Sequence, residues 1–179
     1  LETFWDESRG YLADYVNGGF RDWSVRPNQV IATMLDYSPI SDDIKKKVLD
    51  VTESELLTPR GLRTLSPNDE NYIGTYDGSQ EARDSAYHQG TVWPWLLYPF
   101  CEGYLRLNKK SGLPLVKELY EGFEDVLLEG GIGTISEIYD GEPPHNARGA
   151  ISQAWSVAAV ISIGKLIEKY SQPSNVKEK

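Results

Sequence analysis

The chain has 179 residues, 40% of them hydrophobic and 25% charged, with a formal net charge of −9 and a pI near 4.7. This is the composition of one compact, ordinary globular domain. The acidity opposes nucleic-acid and anionic-membrane partners and leaves neutral ligands open. The lone cysteine, Cys101, has no intrachain partner and lies in an apolar stretch. It reads as a buried thiol, which favours a cytoplasmic origin. The longest strongly apolar run, about residues 154–163, is too short to span a bilayer and contains Ser156 and Ser162.

The chain starts without an initiator methionine or a signal peptide, abruptly, in what reads as a helical pattern. A piece of a longer protein is expected. A helix is predicted over residues 27–37. Ser41-Asp42-Asp43 reads as a helix start, a capping serine followed by acids that complement the helix dipole. Ile44, Val48, Leu49, Val51 and Leu56 then recur at helical spacing up to Thr58-Pro59. Residues 57–90 read as a long loop. Residues 91–107 are apolar enough for an inner helix, with Pro94 in its first turn and Pro99 expected to bend or break it. Leu115, Leu119, Phe123, Val126 and Leu127 form an amphipathic stripe closed by Gly130-Gly131.

A second long loop is predicted over 130–148. Loops of this length without secondary structure are uncommon unless functional. From 149 to 170, Ala154, Trp155, Val157, Ala158, Ala159, Val160, Ile161 and Ile163 cover nearly every face of a helix. Such a helix is buried on all sides. The tail 173–179 is polar and expected to be disordered. The reading is all-α, with one unit over 1–172.

Chemistry concentrates in residues 86–99, Ala-Tyr-His-Gln-Gly-Thr-Val-Trp-Pro-Trp-Leu-Leu-Tyr-Pro. Flat aromatic faces beside neutral hydrogen-bonding groups suit a sugar, which has apolar C–H faces and a hydroxyl rim. Trp93 and Trp95 can stack on rings or pack in the core, Trp95 being the better core candidate. His88 and Gln89 stand at the start of the predicted helix, where they can meet ligand hydroxyls or bond to the loop backbone. Arg26, Asn28 and Gln29 can bind hydroxyls or brace their helix. Glu137, in Gly-Thr-Ile-Ser-Glu-Ile-Tyr-Asp-Gly-Glu-Pro-Pro, is either a presented carboxylate or a solvated surface charge. Asp140 and Glu142 compete with it. Arg148 can pair with Glu137 or Asp140, or stand free at the surface. Gln153 and Trp155 are expected to face a central cavity, with core packing the alternative for Trp155. The two histidines are far apart in sequence, and there is no HExxH motif, cysteine cluster or phosphate-binding glycine loop. No metal or cofactor is expected.

Three blocks, in this order, resemble the bacterial-type glycogen-debranching amylo-α-1,6-glucosidases. They are Arg-Pro-Asn-Gln (26–29); the run from Leu57 through Gly-Leu-Arg-Thr-Leu-Ser-Pro (61–67) to His-Gln-Gly-Thr-Val-Trp-Pro-Trp; and 133–141 with Arg-Gly-Ala-Ile-Ser-Gln-Ala-Trp-Ser-Val-Ala (148–158). The resemblance implies an α/α toroid of the six-hairpin glycosidase type and inverting hydrolysis of α-1,6-linked glucose stubs on glycogen or limit dextrin. In related toroidal enzymes a Glu followed two residues later by Tyr carries the general base, which makes Glu137, with Tyr139, the base here. The family's general acid is an Asp in a Trp-Met-Asp type sequence. The sole methionine here, Met34, is followed by Leu35-Asp36. The readable helices number about half of those in the family's barrel. The chain is therefore expected to be the C-terminal half of the toroid, with the acid upstream, no activity alone, and a tendency to self-associate through uncovered apolar surface. A glucoamylase- or trehalase-like enzyme and a non-catalytic glucan-binding module are the alternatives.

Overall fold

The computed structural model describes residues 2–172. The expected tail at 173–179 lies outside them. The chain opens not with a helix but with two short hairpins, β1 (Trp5–Asp6) with β2 (Tyr11–Leu12), and β3 (Val16–Asn17) with β4 (Phe20–Arg21). The second turns through Gly18-Gly19, where Gly18 has a φ of +59° that glycine adopts without steric penalty. Five further strands form one antiparallel sheet in the order β5 (Leu57–Thr58), β6 (Gly61–Arg63), β7 (Val92–Trp93), β8 (Ile138–Tyr139), β9 (Ala147–Arg148). The all-α expectation is corrected on this point: the two predicted long loops carry strands. Each strand is only two or three residues long, too short to show the alternation that identifies a strand in sequence.

The described residues also form six α-helices, which pack chiefly on one another: α1 (Asn28–Met34), α2 (Asp42–Glu55), α3 (Gln80–Ala86), α4 (Leu97–Asn108), α5 (Leu113–Glu121) and α6 (Ala154–Ser171). Ser41 caps α2 as expected, its Oγ accepting from the Ile44 N–H at 3.4 Å. The helix ends at Glu55, before the predicted Thr58-Pro59, because Leu57 and Thr58 pair with β6. Pro94 opens a 3-10 turn over Pro94–Leu96, and α4 follows. Pro99 neither bends nor breaks α4. It lies in the first turn, where its missing N–H would have had no intrahelical acceptor. The stripe from Leu115 is split, since α5 stops at Glu121 and a separate 3-10 turn spans Asp125–Leu128.

The core gathers around α4, whose Leu97, Phe100, Cys101 and Leu105 are fully buried. Burial pushes the Cys101 thiol well above its ordinary value, as a packed structural thiol requires. At Gly103 helices α1 and α4 approach so closely that a Cβ would stand 2.0 Å from Thr33 Oγ1. That hydroxyl is itself tied to the Val30 carbonyl at 2.7 Å. Helix α6 buries one stripe, Ser156, Ala159, Ile163 and Leu166. The expectation that it is buried on all sides is overturned: Trp155 and Ile161 are about half exposed. No element among the described residues covers that face.

Candidate active site

The central sheet brings the sequence-distant blocks together. Leu62 of β6 faces Trp93 of β7, Val92 faces Tyr139 of β8, and Ile138 faces Arg148 of β9. Beside this sheet lies a cavity of about 720 Å³. Its aromatic walls are Tyr87, Trp93, Trp95 and Trp155, and its polar lining includes Asp14, Asn28, Thr64 and His88. This volume and this mixture suit a small ligand held by ring faces and a few placed polar groups.

The wall is itself built by stacking. His88 lies parallel to Trp93 at 5.3 Å between centroids, Tyr87 meets Trp93 edge-on at 4.9 Å, and Trp155 leans toward Trp93 at 5.9 Å. The Trp93 indole N–H donates to the Tyr87 carbonyl and Thr91 Oγ1, both at 3.2 Å. Trp93 is almost wholly buried, while Trp95 is half-buried, the reverse of the sequence expectation. Partial desolvation against these rings, and then the charge of Arg26, hold His88 below the ordinary histidine value, although its outer edge is exposed. The unfolded chain therefore takes up this proton more readily than the folded one. Stability is complete above the ordinary histidine range and declines as pH falls through it. Thermal midpoints between pH 8 and pH 5 should fall less steeply for His88→Gln than for the parent chain.

Glu137 stands immediately before β8 and is held at both carboxylate oxygens. Tyr87 Oη donates to Oε1 at 2.5 Å and the Ala150 N–H donates to Oε2 at 3.0 Å. Its own N–H donates to the Ala150 carbonyl at 2.9 Å. Desolvation and the bond to Glu137 raise the Tyr87 phenol well above its ordinary value, so it remains a donor. Gly149 makes the close approach possible. Its φ is +67°, and a Cβ there would meet Glu137 Oε2 at 2.5 Å. Gly149→Ala should displace the carboxylate and destabilise the fold by about 1–2 kcal/mol, as denaturant titration would show.

Of the residues expected to touch a ligand, the structure places Arg26, Asn28, His88 and Trp93 on the cavity. Glu137 adjoins it through Tyr87. Four others serve the scaffold. Tyr139 is fully buried in the core. Gln29 is buried, with Oε1 accepting from the Leu12 N–H at 3.1 Å and Nε2 donating to the Arg26 carbonyl at 3.3 Å. Gln89 Oε1 accepts from Arg26 Nη2 at 2.6 Å. Arg148 is paired with Asp140, not with Glu137: its Nε reaches the two carboxylate oxygens at 3.0 and 3.2 Å, and Nη2 reaches Oδ2 at 3.0 Å. Asp140 also accepts from the Tyr76 N–H at 2.8 Å and is buried. It is therefore committed to the scaffold and does not compete with Glu137. Arg26, although on the cavity, spends its guanidinium on the Thr64 and His88 carbonyls and on Gln89.

Sequence reasoning missed Tyr87 and Asp14. Tyr87 had a signal in its position beside His88-Gln89. Asp14, an isolated aspartate near the start of the chain, had none. Asp36, the acid two residues after Met34, is on the surface and paired with Arg106 at 2.7 Å. Among the described residues no group of three or more His, Cys, Asp or Glu side chains could hold a metal ion. Among the described residues no helix is long and apolar enough to cross a membrane.

Comparison with known proteins agrees with this assembly of blocks. The structure is similar to neutral trehalase Nth1 from Saccharomyces cerevisiae, with a TM-score of 0.59 and 18% identity, over 96% of this chain and 28% of that one. At that identity the likeness concerns the fold. The sequence is 26% identical to the glycogen debranching enzyme of Saccharomyces cerevisiae over 180 aligned positions, covering 87% of this chain and 12% of that protein. The chain thus spans a small part of both relatives. A sequence profile of amylo-alpha-1,6-glucosidase matches residues 1–162, which include the hairpins, the aromatic wall and Glu137. The chain belongs to the amylo-alpha-1,6-glucosidase family.

Proposed function

We propose that this chain is the base-bearing portion of an inverting α-1,6-glucosidase acting on glucose stubs of glycogen or a related branched α-glucan. One observation supports this above the others: Glu137 is fixed by Tyr87 and Ala150 beside an aromatic, sugar-sized cavity. In an inverting mechanism such a carboxylate takes a proton from the attacking water. A second carboxyl group, about 6.5–9.5 Å away across the sugar, protonates the leaving oxygen. This reading takes the acid from a segment preceding the blocks described here. It also reads the exposed Trp155 and Ile161 face of α6 as the side that further toroid helices cover, or that a second copy covers when they are absent.

The test uses α-glucosyl fluoride, because fluoride departs without strong protonation and the step relies on the base alone. Water adds at C1, Glu137 takes its proton, and the C–F bond breaks to release fluoride. The expected product is β-glucose, seen as the first anomer formed by NMR, and Glu137→Gln should not form it. Release of α-glucose, or unchanged release by the glutamine variant, would remove Glu137 from the role of base.

A further inference from the structure

The cavity has one carboxylate of its own, and it is not Glu137. Asp14 lies between β2 and β3 and is fixed by its backbone, its N–H donating to the Asp22 carbonyl at 2.8 Å. Asn28, the first residue of α1, donates Nδ2 to Asp14 Oδ1 at 2.7 Å. Both side chains line the cavity with Trp93 and Trp155. Among the described residues no cation pairs with Asp14. Arg26, the guanidinium on the same wall, turns three of its five donors to two carbonyls and Gln89 and forms no ion pair with Asp14. Oδ2 of Asp14 and the second lone pair of Oδ1 therefore retain acceptor capacity toward the cavity.

We propose that Asp14 sets the sugar specificity of this pocket. Its carboxylate receives hydrogen bonds from two neighbouring hydroxyls of a glucosyl ring whose apolar face lies against Trp155. This inference rests on the glycosidase reading and adds to it the residue that reads the hydroxyl rim. The chemistry is selective because a carboxylate only accepts. A hydroxyl can donate to it, whereas a methoxy group or a bare C–H cannot. Asn28 orients the carboxylate and, in the same cluster, keeps one oxygen from turning away. Removing a hydrogen bond to a charged group leaves the partner unpaired, so loss of one hydroxyl removes one such bond and loss of Asp14 removes both. The four-ring wall is also the kind of surface that attracts an organic cation. The test therefore includes one.

The experiment follows the tryptophan fluorescence of the whole chain during titration with methyl α-glucoside, its four monodeoxy analogues, and tetramethylammonium. Trp93, Trp95 and Trp155 lie on the cavity and report occupancy without turnover. Expected are saturable binding of the glucoside and roughly tenfold weaker binding of two analogues that lack adjacent hydroxyls. Asp14→Ala should bind the parent glucoside about tenfold to a hundredfold more weakly and no longer discriminate those two analogues. Asp14→Asn keeps an acceptor for Asn28 and should lie between, so it carries the test if the alanine variant fails to fold by circular dichroism. Unchanged binding and discrimination in both Asp14 variants would overturn the inference and leave the glycosidase reading standing, with Asp14 reduced to a brace for Asn28. No saturable glucoside binding by the parent, or preference for tetramethylammonium, would overturn both.

Discussion

Glu137→Gln is expected to lower turnover of α-glucosyl fluoride by about a hundredfold to ten-thousandfold, the range for removal of a general base, the role proposed for Glu137, with glucoside affinity nearly unchanged. Glutamine keeps the size of the side chain, and its oxygen can still accept from Tyr87 Oη, now bonded at 2.5 Å. It cannot take a proton from water. Its amide nitrogen also has no complement in the Ala150 N–H, which donates to Oε2 at 3.0 Å. The loss should therefore appear in kcat, because the sugar contacts proposed above lie on the aromatic wall and at Asp14. A parallel loss of affinity and turnover would mean that Glu137 holds the ligand and does not act on water.

The largest effect on stability is expected from Asp140→Ala, at about 3 kcal/mol. Asp140 is 2% exposed and receives Arg148, the Tyr76 N–H and Asn146 Nδ2. Its removal leaves a guanidinium and a backbone donor without their acceptor. Breaking a buried pair costs about 3–5 kcal/mol when both partners are enclosed. The lower end applies because the Arg148 side chain is 27% exposed and water can solvate it. For a domain of this size the thermal midpoint should fall by about 6–12 °C. Asp140→Asn keeps one acceptor and should lose less, as denaturant titration would show. Since β8 and β9 pair through Ile138 with Arg148 and Tyr139 with Ala147, the loss should also loosen the strand that presents Glu137.

These two acids show where sequence reasoning stops. Glu137 and Asp140 are three residues apart on one Gly- and Pro-rich segment, and both were open as catalytic groups. Their roles separate only when the chain folds. Tyr87 reaches one of them from another block, and Arg148 turns to the other. Likewise Tyr139, expected at the ligand with Glu137, points into the core because Ile138 and Tyr139 lie in a strand covered by neighbouring elements. Glu137, just outside the strand, stays half-buried.

The sequence by itself determined what local physics controls. The serine cap and acids that start α2, the helical spacing of its apolar residues, and the turn at Pro94 depend on neighbours within a few positions. The family also followed from sequence, because three ordered blocks carry more information than any single contact. Tertiary structure alone decided the central sheet, the exposed face of α6 and the composition of the cavity. Strands of two or three residues have no readable period, and their hydrogen bonds join segments separated by up to several tens of positions. An isolated Asp14 becomes part of a sugar-sized cavity only when a hairpin folds back against the first turn of α1. Such contacts depend on chain closure, which residue spacing does not encode.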